Sequence, residues 1–140
     1  MKQDTANHRP PFGFRLDLRS GVPAYRQIID QVLAGIASGS LAGGEQLPTV
    51  RQVAVDLSIN PNTVMRAYRE LEIRGTLETM QGTGTFISYQ DAQPDDGERQ
   101  RRLGQLIGEF VARAGAAGFT TQELIEQLKE LSTGNERKRK

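Results

Sequence analysis

Between Leu57 and Val64 the chain runs Leu-Ser-Ile-Asn-Pro-Asn-Thr-Val, and this stretch separates two short apolar stripes. Upstream, Val50, Val53, Ala54 and Leu57 share one helical face; downstream, Val64, Ala67, Tyr68 and Leu71 share another. Proline is tolerated in a helix at the first position, where its missing N–H would have had no partner. Pro61 therefore predicts a helix start, with Asn60 as its cap. Thr49 is the corresponding cap upstream, with Gln52 in the capping-box place three residues on. Two short helices joined by a few residues around Ser58 predict a helix-turn-helix.

The flanking sequence fits round this pair. Residues 1–13 read as a disordered start, and Phe14–Leu18 alternates apolar and polar like a short strand. Pro23 then opens an amphipathic helix carrying Tyr25, Ile28, Ile29, Val32, Leu33 and Ile36, which the glycines after Ser38 bring to an end. Gly75 is the expected stop of the helix that Asn60 begins. Beyond it, Thr-Leu-Glu-Thr-Met and Thr-Phe-Ile-Ser-Tyr flank the four residues Gln81–Gly84, a hairpin signal. Its inward face is not settled by alternation, since Leu77, Met80, Phe86 and Ile87 do not share one register. Residues 91–98 have linker composition. Two more apolar stripes follow: Leu103, Leu106, Ile107, Phe110 and Ala114, then Leu124, Ile125, Leu128 and Leu131. Thr120 and Glu123 form a capping box between them, with Phe119 and Leu124 as a hydrophobic staple.

The expected fold is mainly α with a small β-hairpin wing: a winged helix-turn-helix over 14–90, the linker, a two-helix appendage over 99–133 and a loose basic tail over 134–140. The 140 residues leave room for one compact domain plus such an appendage.

Composition narrows the chemistry. Cysteine is absent and His8 is the one histidine, so thiolate metal sites, cysteine nucleophiles and most histidine-dependent catalysis are poorly supplied. No paired carboxylates, metal-ligand cluster or nucleophile–base pair is visible, and no cofactor or metal is expected. The Gly82-Thr83-Gly84 pair lacks the third glycine and following helix of a dinucleotide loop. No apolar run approaches the ~20 residues of a membrane span, and the N-terminus carries no signal-peptide core. A soluble, cytoplasmic setting without membrane attachment is expected. With 18 basic and 17 acidic residues, the chain is no general polycation. If it binds DNA, a few placed groups must do so.

Those groups lie on the helix that starts at Asn60. Opposite its buried stripe stand Asn62, Arg66 and Arg69, with Ile73 further along, while Asn60, Asn62 and Thr63 crowd the first turn. A helix entering the major groove leads with its N-terminal residues. Asparagine pairs bidentately with adenine and arginine with guanine, at about 1–3 kcal/mol of discrimination each. Arg51 is placed to reach a phosphate or the edge of the site, Thr49 to touch phosphate as a secondary role, and Gly82, Thr83 and Gly84 to lay a wing tip along a groove. Each has a plainer reading. Asn-Pro-Asn-Thr is also a well-capped helix start, Arg66 and Arg69 lie in ion-pair range of Glu70 and Glu72, and a Gly-x-Gly pair is also turn chemistry.

Taken together, these residues resemble the winged-helix domain of the GntR family of bacterial transcriptional regulators. The similarity runs from about Pro23 to Ile87: Leu47-Pro48 with Arg51, the Asn62-Thr63-Val64 helix entry, Arg66-Ala67-Tyr68, Leu71-Glu72 with Gly75, and the wing Gly82-x-Gly84-Thr85-Phe86. Only residues 90–140 remain after Tyr89, too few for a large ligand-binding or aminotransferase-like region, and two short helices match the small YtrA-type subfamily. The resemblance implies a homodimer formed through Leu103, Leu106, Ile107, Phe110, Leu124, Leu128 and Leu131. It also implies an inverted-repeat operator of double-stranded DNA, usually repression, and control of transporter genes. It carries DNA contacts to Arg51, Asn60, Asn62, Thr63, Gly82 and Gly84. Some relatives place arginines where Pro61 and Met65 stand here, so the read-out must lean on the asparagines and Arg66. A small effector of unidentified chemistry has room between paired appendages, though no residue announces one.

The competing reading is a winged-helix protein-interaction module without DNA binding. The polar outward face of the third helix weighs against it, since protein-binding surfaces carry aromatic or aliphatic anchors. For the appendage, packing back on its own subunit competes with pairing between subunits. The Arg-Lys-Arg-Lys end is either a solvated tail or an aid to non-specific DNA attachment.

Overall fold

The computed structural model describes residues 12–89 and 96–139, with side chains described as far as Ser132. Seven elements follow in order: α1 (Ala24–Ser38), α2 (Val50–Leu57), α3 (Pro61–Ile73), β1 (Leu77–Met80), β2 (Gly84–Ile87), α4 (Asp96–Ala116) and α5 (Thr121–Arg139). They divide into two units, one ending at Tyr89 and one holding α4 and α5.

In the first unit the punctuation behaves as expected. Thr49 Oγ1 accepts from the Gln52 amide at 3.0 Å, and Asn60 Oδ1 from the Asn62 amide at 2.8 Å. The capping box at Thr49 is only half made, because the Gln52 carboxamide turns forward to Asp56 at 2.9 Å. Ser58, with φ 57°, closes α2 in the left-handed region and turns the chain into α3. At the other end of α3, Gly75 donates to Glu72 O and Thr76 to Leu71 O, both at 2.9 Å, the paired bonds of a Schellman stop.

The stripes meet in one core. Ile28, Ile29 and Val32 of α1, Val53 and Ala54 of α2, and Val64, Ala67, Tyr68 and Leu71 of α3 are buried together with Leu77 and Ile87 of the hairpin. Burial of this kind yields about 25 cal/mol per Å² of apolar surface, which is what holds three short helices together. Leu41 and Leu47, in the connection from α1 to α2, join the same core. Their segment runs beside β2, with Gly44 N donating to Ile87 O, Ile87 N to Glu45 O, and Leu47 N to Thr85 O.

Phe14–Leu18 forms no strand. Residues 12–17 alternate half-buried and exposed, as the pattern implies, yet among the described residues no strand pairs with them, and glutamine side chains meet the backbone of Arg15 and Asp17. Gln31 bonds both backbone groups of Arg15 (2.9 and 2.6 Å), and Gln27 both of Asp17 (2.8 and 3.0 Å). The spacing matches: two extended residues span ~6.7 Å and one helical turn ~5.4–6 Å. Two glutamines a turn apart thus replace a ladder partner.

The hairpin pairs Leu77 with Ile87, Glu78 with Phe86, Thr79 with Thr85 and Met80 with Gly84. The turn is therefore the three residues Gln81–Thr83, with Gly84 already in the strand. Leu77 and Ile87 face the core, while Met80 is exposed.

In the second unit, α4 begins at Asp96, within the stretch expected as a linker; residues 90–95 lie outside those described, as do residues 1–11 of the expected disordered start. Asp96 and Glu98 in the first turn suit the helix dipole, and Glu98 pairs with Arg101 at 2.8 Å. The capping box between α4 and α5 is complete: Glu123 N donates to Thr120 Oγ1 at 3.2 Å and Thr120 N to Glu123 Oε1 at 2.8 Å. The helix α5 then continues through the expected loose tail to Arg139.

Candidate nucleic-acid interface

The outward edge of α3 carries the candidate reading residues. Asn62 and Arg69 are exposed, and their side chains have no hydrogen-bond or ion-pair partner among the described residues. Thr63 beside them is half-buried. The ion pairs that competed for the arginines do not form: Glu70 instead lies 3.9 Å from Arg74, and Glu72 accepts from the Thr79 hydroxyl, tying α3 to β1. Arg66 has a different partner. Its guanidinium carbon lies 3.7 Å from the centroid of the Tyr25 ring on α1.

The two asparagines that flank Pro61 divide their tasks. The Asn60 oxygen is occupied by the Asn62 amide, which leaves its NH₂ as its outward group. Asn62 keeps both oxygen and NH₂ available, the pair that adenine requires. Thr49 is likewise occupied as a cap, and Arg51, exposed in the first turn of α2, stands beside it. Behind this edge Tyr68 is buried, and its hydroxyl donates to Pro48 O at 2.6 Å, fixing α3 against the entry to α2. Burial raises the Tyr68 pKa above its ordinary value, so the phenol is neutral throughout the physiological range.

At the wing, Gly82 has φ +81° in open space at the tip, with Thr83 exposed beside it. Gly84 has a further reason to be glycine, because a Cβ there would run into the Gln46 carboxamide. That carboxamide donates to Thr83 O at 3.1 Å and braces the turn. The supporting role of Gln46 had no signal in the sequence; the role of Tyr25 at the rim of the α1 stripe was hidden by its apolar spacing.

In the second unit, Leu103, Ile107, Phe110 and Ala114 on α4, and Leu124, Leu128 and Leu131 on α5, recur at alternating four- and three-residue steps, the period of paired helices. Only Ala114 among them is buried. Leu106, beside the α4 seam, is 63 % exposed and Leu131 64 %. Among the described residues no helix is long and apolar enough to cross a membrane.

A helix-turn-helix with an open polar edge on its second helix, followed by a braced hairpin, defines a winged-helix DNA-binding protein. Residues 24–87 match the bacterial regulatory proteins of the gntR family. The transcriptional repressor YtrA of Bacillus subtilis is 36 % identical over 118 residues, covering 84 % of this chain and 91 % of the relative. The regulator Rv1152 of Mycobacterium tuberculosis is 40 % identical over 114 residues, covering 81 % and 89 %. A GntR-family regulator from Listeria monocytogenes superimposes with a TM-score of 0.55 at 28 % identity, covering 81 % of this chain and 98 % of that one. The chain belongs to the GntR family of bacterial transcription regulators and is YtrA-like; these relatives regulate transcription and are not enzymes.

Proposed function

We propose that this regulator is a repressor that binds an inverted-repeat operator as a homodimer, seating α3 of each subunit in the major groove. The observation that carries the reading is the outward edge of α3: Asn62 and Arg69 stand exposed and unpartnered on a helix whose opposite stripe is wholly buried. Polar side chains with unspent donors suit base edges and phosphates, and they lead this edge at its N-terminal end, with the exposed apolar Met65 and Ile73 further along the helix. Arg51, Thr63 and the wing tip at Gly82–Gly84 contact the flanking backbone. The unpaired seams of α4 and α5 form the dimer, and the relative named as a repressor supports repression as its mode. Such a protein works in the cytoplasm on nucleoid DNA, and a transporter operon is the expected target on the strength of the resemblance.

A footprint on the DNA upstream of its own gene tests this directly. Two protected half-sites about one helical turn apart, or a multiple of it, are expected. Affinity should fall steeply with salt as phosphate contacts release counterions. Absence of any protected duplex, or an affinity flat in salt, refutes the reading.

A further inference from the structure

The stack of Arg66 on Tyr25 separates this arginine from its neighbours on the same edge. Tyr25 is the second residue of α1, half-buried and packed against the core, so its ring is a fixed surface. Arg66 lies with its guanidinium carbon 3.7 Å from that ring. Stacking uses one face of the guanidinium and leaves its N–H donors pointing out in the plane, ready for a fork of two acceptors. Asn62 and Arg69 have no comparable anchor.

The anchor also sets a direction. α1 packs on the buried side of α3, through Ile28, Ile29 and Val32. A guanidinium tied to α1 is therefore drawn back from the outermost line of α3 toward its flank. A helix with its side chains is ~10–12 Å across and the major groove about 12 Å wide, so its flanks meet the groove walls, where the phosphates are. The groove floor is reached only from the leading edge.

We propose that Tyr25 is a positioning residue that holds Arg66 as a phosphate-binding fork at the groove wall, and that base discrimination rests on Asn62 and Arg69 without Arg66. This rests on the DNA-binding reading above and refines it: Arg66 contributes affinity to every duplex and preference for none.

The test uses the full chain and its footprinted operator, with single-base variants and an unrelated duplex, titrated over a range of salt. Arg66→Ala is expected to weaken all these duplexes by one common factor and to reduce the magnitude of the salt slope by about one. Tyr25→Phe keeps a ring under the guanidinium and should bind as the parent does. Tyr25→Leu should lose about two- to fivefold in affinity, and lose nothing further when Arg66 is already alanine. Arg66→Lys should keep the salt slope and still bind more weakly, since an ammonium cannot stack as a planar fork. Thermal melting of Tyr25→Leu and Tyr25→Phe separates positioning from folding: a matched loss of stability in Tyr25→Leu with additive effects in the double variant overturns the proposal. So does a loss of preference at one base position on Arg66→Ala, which would make Arg66 a base reader and leave the DNA-binding reading intact. Failure of the parent itself to bind any duplex removes both.

Discussion

The two asparagines around Pro61 differ enough in their bonding that replacing them singly should separate folding from recognition. Asn60 accepts from the Asn62 amide at 2.8 Å and satisfies one of the donors orphaned at the start of α3. Asn60→Ala removes that acceptor and should cost about 1 kcal/mol of stability, within the ~0.5–2 kcal/mol known for caps. For a unit the size of the winged helix this lowers Tm by roughly 4–8 °C. Asn60→Ser restores an acceptor and should recover most of it. Asn62 contributes nothing comparable: its side chain is exposed and unpartnered, and such a surface substitution moves stability within ~0.5 kcal/mol. If Asn62 reads adenine as proposed, Asn62→Ala should remove a bidentate pairing of about 1–3 kcal/mol, equivalent to roughly 5- to 150-fold in Kd. Fluorescence anisotropy with labelled operator, read beside thermal denaturation of the free protein, reports both quantities on one preparation. Operator affinity within twofold of the parent for Asn62→Ala would show that α3 does not read bases from this residue. A Tm loss in Asn62→Ala equal to that of Asn60→Ala would show that the division between the two residues is wrong.

Three further outcomes test the supports of the interface. Gly84→Ala drives a Cβ into the Gln46 carboxamide at a φ of +140°, and should cost about 1–3 kcal/mol in thermal denaturation; an unchanged Tm would mean that Gln46 does not brace the wing. Tyr68 has its pKa raised by burial, so its contribution is intact below the unfolded value near 10 and is lost as pH rises beyond it. Melting followed from pH 8 to 11 should show a steepening loss above about pH 10, which Tyr68→Phe abolishes while losing about 1 kcal/mol at neutral pH with its bond to Pro48 O. Leu106→Glu combined with Phe110→Glu should give a monomer by sedimentation with the winged-helix melting transition unchanged, and a persistent dimer would move the interface elsewhere.

The helix-turn-helix was legible because its signals are local. A proline with a capping asparagine fixes a helix start within one residue, and the three-to-four spacing of Val64, Ala67, Tyr68 and Leu71 fixes the buried side. The same locality explains the misses. Phe14–Leu18 alternates like a strand, and only the fold brings Gln27 and Gln31 to its backbone in place of a neighbouring strand. Leu41 lies in a glycine-rich connection that reads as solvent-facing, yet the chain returns there and buries it. At the site, Asn62 and Arg69 could be placed by helical geometry alone. Whether Arg66 would pair with Glu70 or stand free could not be, since its actual partner lies on α1, far away in sequence.

The distribution of buried surface bears on how the two halves of the chain depend on each other. The winged helix closes its own core, with all thirteen members of the buried cluster drawn from Ile28 to Ile87. It needs no apolar help from α4 or α5. Those helices have the reverse problem: of the seam residues on both, Ala114 alone is buried, at 8 % exposure. Helices in proteins draw most of their stability from a packed amphipathic face and not from propensity. On the proposed pairing, the free energy that folds the appendage and the free energy that joins two subunits are one quantity, so helix content in α4 and α5 and dimer formation should rise together with protein concentration. A single α3 with two or three base contacts has little affinity of its own. Once a second copy is tethered by the appendage, the second half-site is met at a high effective concentration, and recognition becomes steep in protein concentration. On the proposed pairing, changes in the exposed seam of α4 and α5 should weaken operator binding as surely as changes at Asn62.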